Sequence, residues 1–295
     1  MGLCIGTVQF GMHYGIASTE HPTPEKSIEI LEYAAQAGIR AIDTASSYGR
    51  AEEIVGKFLK HKNRSDFHVI SKIKPDALSG ISSGGFYDAI KKSVETSLEK
   101  LNTDYLDGCL FHNPDYVYNP EALGALSRLK QDKIARKTGV SVYLPEELDE
   151  AMDSADVDLV QIPLNILDQR MMPQLAEKKP SLAVHARSAF LQGLLLMQEK
   201  DIPSHLSGIV PYLRQMDDYC EKWQISKNAL LLAFMRFQKN INEIVFGVDS
   251  LQHLKQIIAD YNTKVNQPSV LELAKQFGQV EDYILRPNLW KGDNK

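Results

Sequence analysis

The chain has 295 residues, 43% of them apolar and 24% charged, with a formal net charge of −5 at pH 7. That is ordinary globular composition, long enough for one large domain or two small ones. The lysines and arginines are scattered, without a basic stripe or interleaved aromatics, which excludes a nucleic-acid partner, and no apolar run approaches the ~20 residues of a membrane span.

The first residues, MGLCIGTVQFG, lack the basic and long apolar regions of a signal peptide. Gly6 stands where a myristoylation signal requires Ser or Thr. Cys4, Cys109 and Cys220 are odd in number and far apart, and Cys4 and Cys109 lie in apolar runs, so buried free thiols and a cytoplasmic setting are expected.

Short β-branched runs recur at 3–8, 41–43, 68–73, 106–111, 137–142, 159–163, 182–186 and 244–247. Stretches of helical period separate them. Thr23 and Pro24 open one helix, with Ile28, Leu31, Ala34 and Ala35 as its apolar stripe and Gly38 as its left-handed stop. Pro145 opens another, and Ser250 is placed to cap the last. The glycine- and serine-rich segment 79–85 reads as a loop, either a lid or a plain surface turn, and 198–213 is long for a simple connection.

Eight strand-then-helix units imply a parallel sheet covered by helices, and at this length a closed (β/α)8 TIM barrel. Periodicity alone leaves an open doubly wound sheet as the alternative. Against it, no Gly-x-Gly-x-x-Gly turn follows the first strand and no Walker loop is present. No linker divides the chain, so residues 1–295 are expected to form one domain, with a tail from about 262 that can cover the barrel mouth.

Barrel chemistry sits where strands end. Strand two ends at Asp43 with Tyr48 just beyond, strand three carries Lys72, and strand four ends at His112. A phenol with a pKa near 10 needs help to donate a proton at neutral pH, and a neighbouring ammonium lowers that value. Lys72 would supply the ammonium, Asp43 would position it, and His112 would orient a carbonyl oxygen. Lys74 shares the strand face of Lys72 and is its rival. The remaining histidines form no metal-ligand spacing, so no metal site is expected.

The run from Gly38 to Gly49 (GIRAIDTASSYG), followed by EEIVG at 52–56, resembles the first signature of the aldo-keto reductase family. Ser71-Lys72-Ile73 resembles the family's lysine strand, Leu110-Phe111-His112-Asn113-Pro114 its histidine strand, and Gly139-Val140-Ser141 its fifth-strand turn. The resemblance implies an NAD(P)-dependent oxidoreductase that interconverts a small aldehyde or ketone and its alcohol. It implies a catalytic set of Asp43, Tyr48, Lys72 and His112, with Tyr48 the proton donor, and a dinucleotide extended across the mouth near Thr7 and Asp43. By position Ser141 and Gln161 would hold the nicotinamide carboxamide, and Arg187 would stack on the ring. Ser188, Phe190 and Gly193 would follow the pyrophosphate, and Gly247, Ser250 and His253 the adenosine phosphate.

There are departures from the family pattern. Val142 replaces a common Asn, Ile257 stands where an adenine-binding Asn is common, and Gly247 and His253 replace a Lys and an Arg frequent in NADPH users. Asp249 adds negative charge beside the expected 2′-phosphate. NADP(H) is expected from the family, with NAD(H) the alternative. A monomer and a small-molecule carbonyl or alcohol partner are expected. His13, Tyr14, Asn113 and Asp115 suggest a hydroxylated, sugar-like substrate, with Tyr283, Leu285 and Trp290 of the tail closing over it. Two other functions fit the same residues: a cofactor-binding regulatory barrel with little turnover, and a proton-transfer lyase or isomerase.

Overall fold

The computed structural model describes residues 1–16, 21–278 and 280–290. Its centre is a closed barrel of eight parallel strands in sequence order. They are β1 (Gly2–Gly6), β2 (Ala41–Asp43), β3 (His68–Ile73), β4 (Gly108–Phe111), β5 (Thr138–Ser141), β6 (Leu159–Pro163), β7 (Ala183–Arg187) and β8 (Glu243–Gly247). Closure comes from β8, which pairs with β7 on one side and runs beside all of β1 on the other, Gly2 against Glu243 through Gly6 against Gly247. This settles the choice between closed and open sheets.

The interior is filled. Cys4, Ala41 and Val245 form one small buried cluster, and Ile70, Leu110, Leu159 and Ala183 another. Both are separate from the main core between strands and helices. The three cysteines are buried and free. Among the described residues, no helix is long and apolar enough to cross a membrane.

Most helix boundaries follow their signals. Thr23 accepts the Lys26 N–H at the start of helix Pro24–Gln36, and Gly38 takes φ +86° just past its end. The buried stripe of that helix is Ile30, Leu31 and Ala34, with Ile28 and Ala35 at its edge. Pro145 begins helix Pro145–Asp153, where the Glu147 carboxylate accepts the N–H groups of Tyr143 (2.6 Å) and Leu144 (3.0 Å). Ser250 caps helix Leu251–Tyr261 by accepting the His253 N–H at 3.2 Å.

Three segments depart from the sequence reading. β1 stops at Gly6 rather than running to residue 8, because Thr7 turns to donate its N–H and hydroxyl to the Asp43 carbonyl (2.9 and 3.1 Å). The chain then coils into the helical turn Val8–Gly11. Segment 79–85 is not an unstructured loop throughout: it ends in the 3-10 turn Ser83–Gly85, which leads into helix Phe86–Leu101. The long connection after β7 consists of short 3-10 turns, Glu199–Asp201 and Ser204–Ile209, before helix Val210–Trp223.

The tail reaches the rim of the mouth. Gln169, in the loop after β6, donates to the Ala274 carbonyl at 2.8 Å, and Arg170 pairs with Asp282 at 3.4 Å. Trp290 donates to the Ile284 carbonyl, within the tail itself. Residues 291–295 of the expected tail lie outside the described residues.

Candidate active site

Inward-facing positions at the ends of β2, β3 and β6 meet at the mouth. Lys72 Nζ donates to Asp43 Oδ1 at 2.5 Å and to the Thr44 carbonyl at 3.0 Å. Gln161 Nε2 donates to Asp43 Oδ2 at 2.8 Å, so both carboxylate oxygens are held. Lys72 is 2% exposed, whereas its rival Lys74 is exposed to solvent. An ion pair this deep is tolerated because each charge has a partner and further hydrogen bonds.

Tyr48 stands over this pair, with Lys72 Nζ 5.3 Å from its ring centroid. Its turn is pressed onto the helical turn Val8–Gly11, and a Cβ on Gly11 would strike the Tyr48 carbonyl oxygen. Gly49, at φ +54°, meets the Gly11 carbonyl in return. The His112 ring meets that of Tyr48 edge-to-face, with centroids 5.7 Å apart. Ser47 Oγ and His112 Nδ1 share a hydrogen bond of 3.1 Å, which fixes the imidazole. The structure thus brings Asp43, Tyr48, Lys72 and His112 into one cluster.

The electrostatics differ from expectation in one respect. Burial pushes the Tyr48 phenol up, and the Lys72 ammonium pulls it back only in part, so its pKa lies above the ordinary value rather than below it. For Lys72, burial works against the charge, but Asp43, Tyr48 and the hydrogen bond to Asp43 outweigh it and raise the pKa. Burial, with the Lys72 ammonium adding to it, lowers His112 to about 4. Near neutral pH the cluster therefore holds a protonated phenol beside a neutral imidazole.

A cleft runs from this cluster across the mouth to helix Leu251–Tyr261. Thr7, Asp43, Tyr48, Gln161, Arg187, Ser188, Phe190, Gly193, Gly247 and His253 all line it. Lys72 and His112 are not among the residues lining it: Lys72 is buried beneath Asp43, and His112, partly exposed, flanks Tyr48. Ser250 caps the helix at its far end, and Ser141, paired in register with Gln161, is buried outside the lining. No described residue beyond His253 lines the cleft, so the tail residues Tyr283, Leu285 and Trp290 do not form its wall.

Several lining residues carry no obvious signal in the sequence. Gln192 donates to the Tyr14 hydroxyl at 3.2 Å and accepts the Ile16 N–H at 3.0 Å, which ties the first loop to the loop after β7. Ser188, Leu191 and Gln192 all adopt positive φ there. Leu196, Met197 and Phe246 provide apolar wall. Arg187 lies with its guanidinium 4.2 Å from the centre of the Tyr143 ring and donates to the Val142 carbonyl at 3.1 Å. At the far end Asp249 Oδ1 and His253 Nδ1 are 3.1 Å apart.

The walls suit a nicotinamide dinucleotide. The lining reaches from Asp43 and Tyr48 to Asp249 and His253, its apolar side chains are interrupted by amides, and Gln9 Oε1 is buried in it without a partner, an acceptor open to a ligand's N–H. Gly247 leaves room beside that amide, which a Cβ would fill. The helix beyond starts at a capped N-terminus, a favourable place for phosphate.

Fold and cluster together define the class, a (β/α)8-barrel oxidoreductase. The chain belongs to the aldo/keto reductase family, whose sequence profile matches residues 2–275. It is 24% identical over 272 residues to an NADH-specific methylglyoxal reductase of Escherichia coli, covering 81% of this chain and 83% of that one. Among solved structures, a holo-form aldo-keto reductase of Bacillus halodurans superposes with a TM-score of 0.75 at 20% identity, over 96% of this chain and 95% of that one. An aldo/keto reductase of Klebsiella pneumoniae in complex with NADP and acetate gives 0.70 at 21% identity, over 94% and 91%. Members of the family use nicotinamide cofactors and act on small carbonyl compounds.

Proposed function

We propose that this protein reduces a small aldehyde or ketone with a reduced nicotinamide dinucleotide, and that Tyr48 protonates the carbonyl oxygen. The observation that carries this reading is the protonated Tyr48 phenol set over the buried Asp43–Lys72 pair and edge-on to His112, in a cleft whose lining reaches from Asp43 to Asp249 and His253.

The bound cofactor supplies hydride to the carbonyl carbon. Every other part belongs to the chain. Tyr48 Oη and the His112 imidazole receive the carbonyl oxygen, and His112, being neutral, does so as a hydrogen-bond partner and not as an acid. As negative charge develops on that oxygen, Tyr48 Oη gives up its proton. The Lys72 ammonium stabilises the phenolate left behind, and Asp43 keeps Lys72 in place. The proton then returns to Tyr48 from solvent.

Thr7, Gln161, Arg187, Ser188, Phe190, Gly193, Gly247 and His253 would hold the dinucleotide, with Ser250 orienting the helix at its adenosine end. The N–H group of Gln161 is committed to Asp43, which leaves its carbonyl oxygen for a carboxamide. Ser141 makes no wall and is the weakest member of the expected set.

At the adenosine end the balance favours NADH over NADPH. The hydrogen bond from His253 holds the Asp249 carboxyl below its ordinary value, so it is ionised where a 2′-phosphate would approach. Gly247 offers no cation there. The relative from Escherichia coli is named NADH-specific, whereas the Klebsiella structure holds NADP. Small hydroxylated carbonyls suit the polar rim of Tyr14 and Gln192. Fluorescence titration of the protein with NADH and NADPH tests this reading. Micromolar binding with NADH the tighter is expected, together with turnover of small aldehydes. Binding of neither would overturn it, and binding without turnover across a broad carbonyl panel would indicate a regulatory barrel.

A further inference from the structure

Of the two carboxylates on the cleft wall, each has its own partner: Asp43 holds Lys72, and Asp249 faces His253. Arg187 differs. Among the described residues no carboxylate pairs with it, and it is held instead by the Val142 carbonyl, by Ser188 Oγ at 3.4 Å and by the Tyr143 ring. These neutral contacts fix the guanidinium without cancelling its charge. Arg187 ends β7, next to the β6 strand that carries Gln161, and lines the same cleft as Asp43 and Tyr48, so its charge faces the reaction centre.

We propose that Arg187 makes the cleft discriminate between the two redox forms of its cofactor, binding the reduced dinucleotide and repelling the oxidised one. This rests on the reductase reading above. For hydride to reach a carbonyl whose oxygen touches Tyr48, the nicotinamide ring must lie within contact of that carbonyl, about 3–3.5 Å between reacting atoms. It therefore sits in the field of Arg187. The reduced ring is neutral and the oxidised ring carries a positive charge, while the rest of the molecule is the same in both. As a general magnitude, two like charges about 10 Å apart at an effective dielectric near 20 shift an equilibrium by roughly tenfold, and closer ones by more.

The consequence is directional. Oxidised cofactor formed in the reaction leaves readily and competes weakly, so the cleft loads with reduced cofactor even from a pool rich in the oxidised form. Run as a dehydrogenase, the same cleft has to bind the form it repels.

The test is the ratio of dissociation constants, oxidised over reduced, measured by equilibrium titration with NAD+ and NADH and, separately, with NADP+ and NADPH. The wild type should show a ratio above about ten. In Arg187→Met the ratio should fall by about tenfold, mainly through tighter binding of the oxidised form, and Arg187→Lys should keep most of it. A wild-type ratio near one overturns the proposal without any variant. Equal weakening of both forms in Arg187→Met, in protein that circular dichroism shows to be folded, also overturns it and leaves Arg187 a purely structural contact of Val142 and Tyr143. Failure of the reductase reading looks different: neither form binds the wild type at all.

Discussion

At the scale of single residues, the site depends on which groups burial leaves charged. Lys72 stays charged because Asp43 and the hydrogen bond to it outweigh burial, whereas burial and the Lys72 ammonium drive His112 neutral against the opposing pull of Asp43. The pH dependence follows. His112 charges only as pH falls through about 4, and Tyr48 loses its proton only above its ordinary value near 10. The rate of carbonyl reduction should therefore be level from about pH 5 to about pH 9, dropping on the alkaline side as the phenol ionises. In Lys72→Met the pull on the phenol is gone, so the alkaline limb should move to higher pH while the plateau drops by roughly a hundredfold. Pre-steady-state rates across pH check both, and an alkaline limb that stays in place would deny the coupling of Lys72 to Tyr48.

That Asp43, Tyr48, Lys72 and His112 would gather at one mouth was legible in the sequence because each lies at or near the end of an apolar run. Their support was not. Gln161, which holds the second oxygen of Asp43, lies 118 residues away, and the Arg187–Tyr143 contact joins the end of β7 to the loop after β5, which no local pattern connects. The direction of the Tyr48 shift was misjudged for a related reason: the ammonium is visible in the sequence, but the burial that outweighs it is a property of the assembled mouth.

At the scale of elements, the helical turn Val8–Gly11 and the turn carrying Tyr48 approach so closely that neither Gly11 nor Gly49 has room for a Cβ. The sequence reading ran β1 on to residue 8, because Val8 continues the apolar run and nothing local shows Thr7 bonding to Asp43 across the strands. Gly11→Ala should shift the Tyr48 turn and lower kcat by at least roughly tenfold, with little change in cofactor affinity, since reactive geometry tolerates small displacements poorly. Steady-state kinetics beside cofactor titration separates the two effects, and an unchanged kcat would show that this packing does not position Tyr48.

β7 and β8 carry a second pair of consequences at the other end of the barrel, where His185 and Glu243 are neighbours in register. Burial raises Glu243 to about 7 and lowers His185 to about 4. Glu243 favours the fold fully only below its unfolded pKa near 4.5, and that contribution is lost as pH rises through about 7. His185 works the other way, contributing above about 6.5 and losing its contribution as pH falls through about 4. Glu243→Gln should therefore be more stable than wild type at pH 8, with the advantage shrinking toward pH 5. Urea midpoints at the two pH values measure it, and a constant offset would indicate that the carboxyl stays ionised throughout.

For the molecule as a whole, barrel closure is what assembles the site. Strand positions could be read from β-branched runs to within a few residues, but periodicity does not show that β8 returns to pair with β1, and without that pairing Thr7 and Gly247 would not share a wall. The cleft draws on the ends of β1, β2, β6, β7 and β8 and the loops beyond them, so its floor is rigid while its rim is made of loops. The sequence reading gave the tail as able to cover the mouth. Its described residues touch the rim through Gln169 with Ala274 and Arg170 with Asp282, and Trp290 bonds to Ile284 within the tail itself.

The central claim, that Tyr48 is the proton donor of a nicotinamide-dependent reductase, is tested most directly by Tyr48→Phe assayed for single-turnover reduction alongside binding of the reduced cofactor. The variant should bind the cofactor within about twofold of wild type while the reduction rate falls by about a thousandfold or more. A variant that binds normally and still reduces the carbonyl at the wild-type rate would contradict the account.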